Sequence, residues 1–170
     1  MLKKRGALAL SINAIVILII AITMLGLALG FTRGMFGKIS TQIEEKISEE
    51  PEPSTSSAAD PTTLSREVIV TQAGESEVLK VDVYNPSNIE WTGTGSGDKP
   101  NIEDCSSGLV INAQANTKTL KPTESTVYTV LFDIPDQAPG TYLCRVKVPS
   151  LAAVPGFEKY FKDLTIKIVQ

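Results

Sequence analysis

Ala7-Leu-Ala-Leu-Ser-Ile-Asn-Ala-Ile-Val-Ile-Leu-Ile-Ile-Ala-Ile-Thr-Met-Leu-Gly-Leu-Ala-Leu-Gly-Phe31 is the stretch on which the fold turns. No charge interrupts the chain from Gly6 to Thr32, and nearly every side chain is aliphatic. As a helix at 1.5 Å per residue, Ala7–Phe31 extends about 37 Å, enough to cross roughly 30 Å of hydrocarbon with some tilt. Lys3, Lys4 and Arg5 precede it, and the positive-inside rule then sets the N-terminus in the cytoplasm. Arg33 and Lys38 form a weaker cluster beyond the span, so the remaining chain is expected outside the membrane. An ordinary secretory signal has an apolar region of about 7–15 residues followed by a small-residue cleavage site. Thr32-Arg33-Gly34-Met35-Phe36 offers no such site.

The residues before the apolar run carry a more specific pattern. Lys3-Lys4-Arg5-Gly6, then Ala7 and an unbroken hydrophobic helix, resembles the class III signal peptide of archaeal type IV pilins and archaellins. In that family a prepilin-type peptidase of the membrane cuts after the glycine and leaves the helix on the mature protein. The resemblance implies a leader of residues 1–6, cleavage between Gly6 and Ala7, and a pilin-type helix over residues 7–33. It also implies an archaeal source. Ser11 stands where bacterial pilins usually carry Glu, a departure that archaeal relatives share. Gly26, Gly30 and Gly34 are four residues apart, as in G-x-x-x-G, which lets a neighbouring helix approach closely. That spacing suits a homo-oligomer joined through the N-terminal helix, and it also arises by chance in membrane helices. Ser11 and Asn13 are either helix-surface positions or donors to a neighbour.

Beyond the span, Met35, Phe36, Ile39, Ile43 and Ile47 fall at helical spacing, predicting an amphipathic stalk over residues 34–48 with a kink or local melt near Gly34 and Gly37. Residues 49–63 contain three prolines and many hydroxyls with almost no apolar side chain. Such a segment cannot bury a core, which predicts a flexible, partly extended linker.

Residues 64–170 alternate with period two. Leu79, Val81 and Val83 oppose Lys80, Asp82 and Tyr84, while Tyr128, Val130 and Phe132 share a face. Tyr142, Cys144, Val146 and Val148 form another such row, as do Leu164, Ile166 and Ile168, with Val68–Val70 and Leu109–Ile111 as shorter candidates. Asn85-Pro86, Gly93 to Pro100, Lys121-Pro122 and Pro135 to Gly140 mark turns. The fold expected is one long N-terminal hydrophobic α-helix plus an all-β immunoglobulin-like sandwich. Leu120-Lys-Pro-Thr-Glu-Ser-Thr-Val-Tyr-Thr-Val130 and Pro139-Gly-Thr-Tyr-Leu-Cys144 resemble the late strands of extracellular immunoglobulin-like adhesion modules. Tyr142 stands two residues before Cys144, the spacing of a tyrosine corner; a tyrosine packed on one sheet face reads the same way. Cys105 and Cys144 are the only cysteines, and both follow the span, so a disulfide is expected, with two buried thiols as the alternative. Trp91 to Asp104 reads as a solvated loop with Trp91 in the core, or as a recognition loop in which Asp98, Glu103 and Asp104 match no Ca²⁺ spacing.

The chain lacks histidine, which excludes a Ser-His-Asp system and any His-containing zinc site. Its acids lie in polar, turn-like sequence, so neither catalysis nor a cofactor is expected. The net charge is +4 over residues 1–33, −4 over 34–63 and −3 over 64–170. With basic residues clustered only at the extreme N-terminus, nucleic acid is not an expected partner. The expectation is a structural subunit or adhesion pilin of a surface filament; the alternative is an uncleaved single-pass membrane protein displaying an extracellular immunoglobulin-like binding domain.

Overall fold

Isoleucine, leucine and alanine dominate residues 12–34, and good helix formers continue to Glu49. They form one α-helix, α1 (Ile12–Glu49), of 38 residues. The structure, a computed structural model, describes residues 12–94, 96–157 and 160–170, apart from the side chains of residues 35–40 and 96. The chain divides into two compact units, one ending at Glu44 and one comprising Glu45–Gln170.

In the first unit, Ile12–Gly34 is a helix long and apolar enough to cross a membrane, with 23 residues spanning about 34 Å. Thr23 Oγ1 donates to the Ile20 carbonyl (2.8 Å) and Thr32 Oγ1 to that of Ala28 (2.6 Å), so both hydroxyls are satisfied within the helix. The local melt weighed near Gly34 and Gly37 is absent, because α1 runs through both. Each interior glycine costs about 1 kcal/mol, which the strong helix formers around it offset. The stalk thus begins without a break, although the side chains of Met35, Phe36 and Ile39 lie outside the described residues.

The second unit holds a β-sandwich. Its strands are β1 (Thr62–Leu64), β2 (Val68–Gln72), β3 (Ser76–Tyr84), β4 (Asn101–Glu103), β5 (Asn112–Ala115), β6 (Ser125–Asp133), β7 (Gly140–Lys147) and β8 (Phe161–Val169), with a short helix α2 (Pro149–Ala152). One sheet has the order β1-β3-β6-β5 and the other β2-β8-β7-β4. These are the ABED and CFG sheets of the immunoglobulin arrangement, with β2 added in parallel to β8. The register sets Leu79 opposite Val130 and Val81 opposite Tyr128 in the first sheet, and Cys144 opposite Leu164 and Tyr142 opposite Ile166 in the second. All eight are buried and meet in one core with Ile69, Ile102 and Trp91. Leu109 is buried outside any strand, and β5 begins only at Asn112. The loop expected from Trp91 to Asp104 contains the short strand β4.

Residues 49–63 differ from the flexible linker their composition predicts. Ser56 N–H donates to Asp82 Oδ2 (2.7 Å), Tyr84 N–H to the Pro61 carbonyl (2.9 Å), and Thr63 Oγ1 to the Ser54 carbonyl. Lys80 Nζ donates to the Glu50 carbonyl (2.8 Å) and pairs with Glu52 (2.7 Å), while Lys162 pairs with Asp60 (2.9 Å). The segment is a strap held by backbone groups and carboxylates, which a count of apolar side chains cannot detect. Beneath it Asp82, expected on a solvent face of β3, is only 3 % exposed.

Candidate functional site

Three features offer functional surfaces: the apolar face of α1, the loops at the Trp91 end of the sandwich, and the polar cluster where the last turn of α1 meets the strap. The first is the most distinctive. Along Ile12–Gly34 no position is buried by the chain itself, and Leu27 and Phe31 are 72 % and 70 % exposed. A Cβ added at Gly26, Gly30 or Gly34 would meet nothing within 4 Å. The chain's own packing therefore does not require glycine at these positions. Asn13 is exposed on the same helix. The leader charges Lys3, Lys4 and Arg5, the junction Gly6-Ala7 and Ser11 lie outside the described residues.

At the Trp91 end, Trp91 is buried and exchanges both backbone hydrogen bonds with Leu120 (3.0 and 2.8 Å). Gly93 follows with φ +66°, and a Cβ there would lie 2.3 Å from the Lys118 carbonyl oxygen, so only glycine fits. Asp98 accepts from Ser150 Oγ (2.6 Å) and from Gly93 N–H (3.3 Å), clasping two loops together. Asp104 pairs with Lys147 and lies 3.9 Å from Arg145, and Glu103 lies 3.8 Å from Lys147. The Lys147 hydrogen bond and charge, then the Arg145 charge, hold the Asp104 carboxyl below its usual range. The three carboxylates are thus engaged by the chain's own donors. Among the described residues, no group of three or more His, Cys, Asp or Glu side chains is arranged to hold a metal ion.

Sequence reading passed over Asn85, which is fully buried. Its Nδ2 donates to the carbonyls of Ile89 (2.8 Å) and Leu120 (3.1 Å), and its Oδ1 accepts from Ser87 N–H (2.9 Å) and Ser87 Oγ (2.6 Å). The Asn85-Pro86 pair signalled a turn but not a clamp joining two loops. Tyr128, buried beneath this end, has its phenol pushed up by burial and then by the Asp98 charge.

No family model matches the sequence, and no curated protein matches it either. The remaining features are structural. Cys105 and Cys144 form a disulfide that ties the turn after β4 to β7, two neighbouring strands of one sheet. Tyr142 Oη donates to the Ala138 carbonyl, 2.7 Å away and four residues upstream, which is the bond of a tyrosine corner. In the polar cluster, Arg66 Nη2 lies 3.1 Å from Glu77 Oε2 and donates to the Val78 carbonyl (2.9 Å). Its Nε lies 3.1 Å from Glu50 Oε2, an ion pair without hydrogen-bond alignment. Lys46 Nζ, in the last turn of α1, donates to the Ser76 carbonyl (2.6 Å) and pairs with Glu77 (3.4 Å). Every charge in this cluster faces an opposite one, so its chemistry is that of a latch.

Proposed function

We propose that this chain is a pilin-like subunit of a type IV surface filament, processed between Gly6 and Ala7, with α1 as the bundling element and the immunoglobulin-like sandwich displayed outside the cell. The observation that carries the reading is the apolar helix Ile12–Gly34, none of it buried by the chain's own residues. Keeping one large aliphatic side chain out of water contributes about 1.5–3 kcal/mol, so a row of them demands lipid or other helices. A membrane holds such a helix before assembly, and neighbouring copies hold it afterwards. The glycine row at Gly26, Gly30 and Gly34 supports the second state, because the chain's own packing does not call for glycine there and the missing side chains leave room for a neighbouring helix. The strap supports it too. With residues 50–61 bonded to the sandwich, residues 49–63 provide no loose tether, which is the feature that would have suited a simple anchored display domain.

Mass spectrometry of the mature N-terminus, on protein extracted from native membranes, tests the proposal. A chain starting at Ala7 supports processing by a prepilin-type peptidase. A chain starting at Met1 or Leu2 overturns it and leaves an uncleaved single-pass surface protein.

A further inference from the structure

The parallel pairing of β2 with β8 leaves one side of β2 without a partner. The Glu67 carbonyl accepts from Thr165 N–H (2.8 Å), so strand alternation turns the backbone groups of Glu67, Ile69 and Thr71 toward β8. Those of Val68 and Val70 then point away, and among the described residues nothing bonds to them. Their side chains are 54 % and 57 % exposed. The other sheet edges are shorter: three residues in β1 and in β4, four in β5, against five in β2. Val68-Ile-Val-Thr-Gln72 also carries no lysine or proline, the residues that usually blunt an exposed edge.

We propose that β2 is the edge through which two copies of this chain pair. The geometry points to antiparallel pairing about a two-fold axis at Ile69. Only residues whose backbone groups point outward can exchange hydrogen bonds, and these are Val68 and Val70. Setting Val68 of one copy opposite Val70 of the other satisfies both pairs and gathers four valines on one face. The area decides the occupant. One short strand pair falls short of the roughly 1,000 Å² of a stable free-standing complex, so a soluble peptide would be held only weakly and transiently. Copies whose α1 helices share a bilayer meet at an effective concentration that compensates for a small interface. The inference rests on the membrane-anchored part of the proposed function, not on leader cleavage.

The test uses the full-length chain in phospholipid vesicles, with Val70→Cys cross-linked by a bis-maleimide spanning about 8 Å, the diagonal distance across such a pair. Val110→Cys, 80 % exposed in the loop before β5, is the control at equal protein density. Val70→Cys should cross-link at least tenfold faster than Val110→Cys, and adding Val68→Lys should return it to the control rate. Equal rates, or indifference to Val68→Lys, overturn the pairing. Carbonate extraction of the same vesicles reports anchoring separately. A chain that washes off overturns the anchored reading and the pairing that depends on it, whereas an anchored chain with equal rates overturns the edge alone.

Discussion

Replacing Asn85 with alanine removes four side-chain hydrogen bonds from a fully buried position. At about 0.5–1.5 kcal/mol net for each bond, the loss would be about 2–6 kcal/mol if every partner were stranded. Two partners are not. The Ile89 carbonyl still accepts from Ser87 Oγ (2.9 Å) and the Leu120 carbonyl from Trp91 N–H (3.0 Å). Ser87 is only half-buried, so its N–H can turn to water. The expected cost therefore lies near the lower end, about 2–3 kcal/mol. With a urea slope of about 1–3 kcal/mol per molar, the midpoint should fall by roughly 0.7–3 M. Trp91 is the single tryptophan and lies in the loop that Asn85 clamps, so its fluorescence in the detergent-solubilised full chain reports this unit alone. Asn85→Asp should lose at least as much at neutral pH, because a carboxylate would face the two carbonyls that Nδ2 now serves. A change below about 0.5 kcal/mol in both variants would refute the clamp, since that is the effect of an ordinary surface substitution.

Three further outcomes follow from the same structure. Removing the Cys105–Cys144 bridge by a double alanine substitution releases a closure of 39 residues, which the chain-entropy account values at about 4 kcal/mol; a loss under 1 kcal/mol in the same urea assay would contradict it. Asp82→Ala should speed hydrogen exchange at the Ser56 amide at least tenfold while Val130 is unchanged, and an unchanged Ser56 rate would show that the strap is held by other contacts. Because burial raises the Tyr128 pKa, its contribution is fully present below the unfolded value of about 10 and is lost as pH rises through the higher folded value; Tyr128→Phe should flatten alkaline unfolding, and an unaltered pH profile would count against this cause.

The long strands were legible in the sequence because each buries one face. Leu79-Val81-Val83 and Leu164-Ile166-Ile168 show period two, and their lengths let the pattern repeat. β1, β4 and β5 were not legible, since three or four residues such as Asn101-Ile-Glu103 cannot establish a period. Their partners in β3, β7 and β6 impose the extended state. The strap was misread for a different reason. Composition measures what a segment can bury, whereas residues 50–61 are fixed by what Asp82, Lys80 and Lys162 offer them. The expected disulfide is present, but its position at the exit of a short strand was visible only as a polar neighbourhood around Cys105.

These devices share a location. The long pairs β3·β6 and β7·β8 run nine and eight residues in register and rest chiefly on their apolar faces, with Ser76 Oγ donating to Asp133 (2.6 Å) across the first and Arg145 lying 3.8 Å from Asp163 across the second. The specific polar and covalent bonds gather where strands are too short to hold themselves. β1 has Thr62 and Thr63 buried and Thr63 bonded to the strap. β4 is followed at once by the bridge from Cys105 to β7. The pairing of β5 with β6 is extended by Asn116, whose N–H donates to Thr129 (3.1 Å) while its side chain accepts from the Thr129 N–H (2.9 Å). Among the described residues, β2, the longest edge, has no such reinforcement on its free side, and it is also the edge with exposed valines. An edge secured by an external strand needs no internal fastening, which is the condition that pairing between copies would supply.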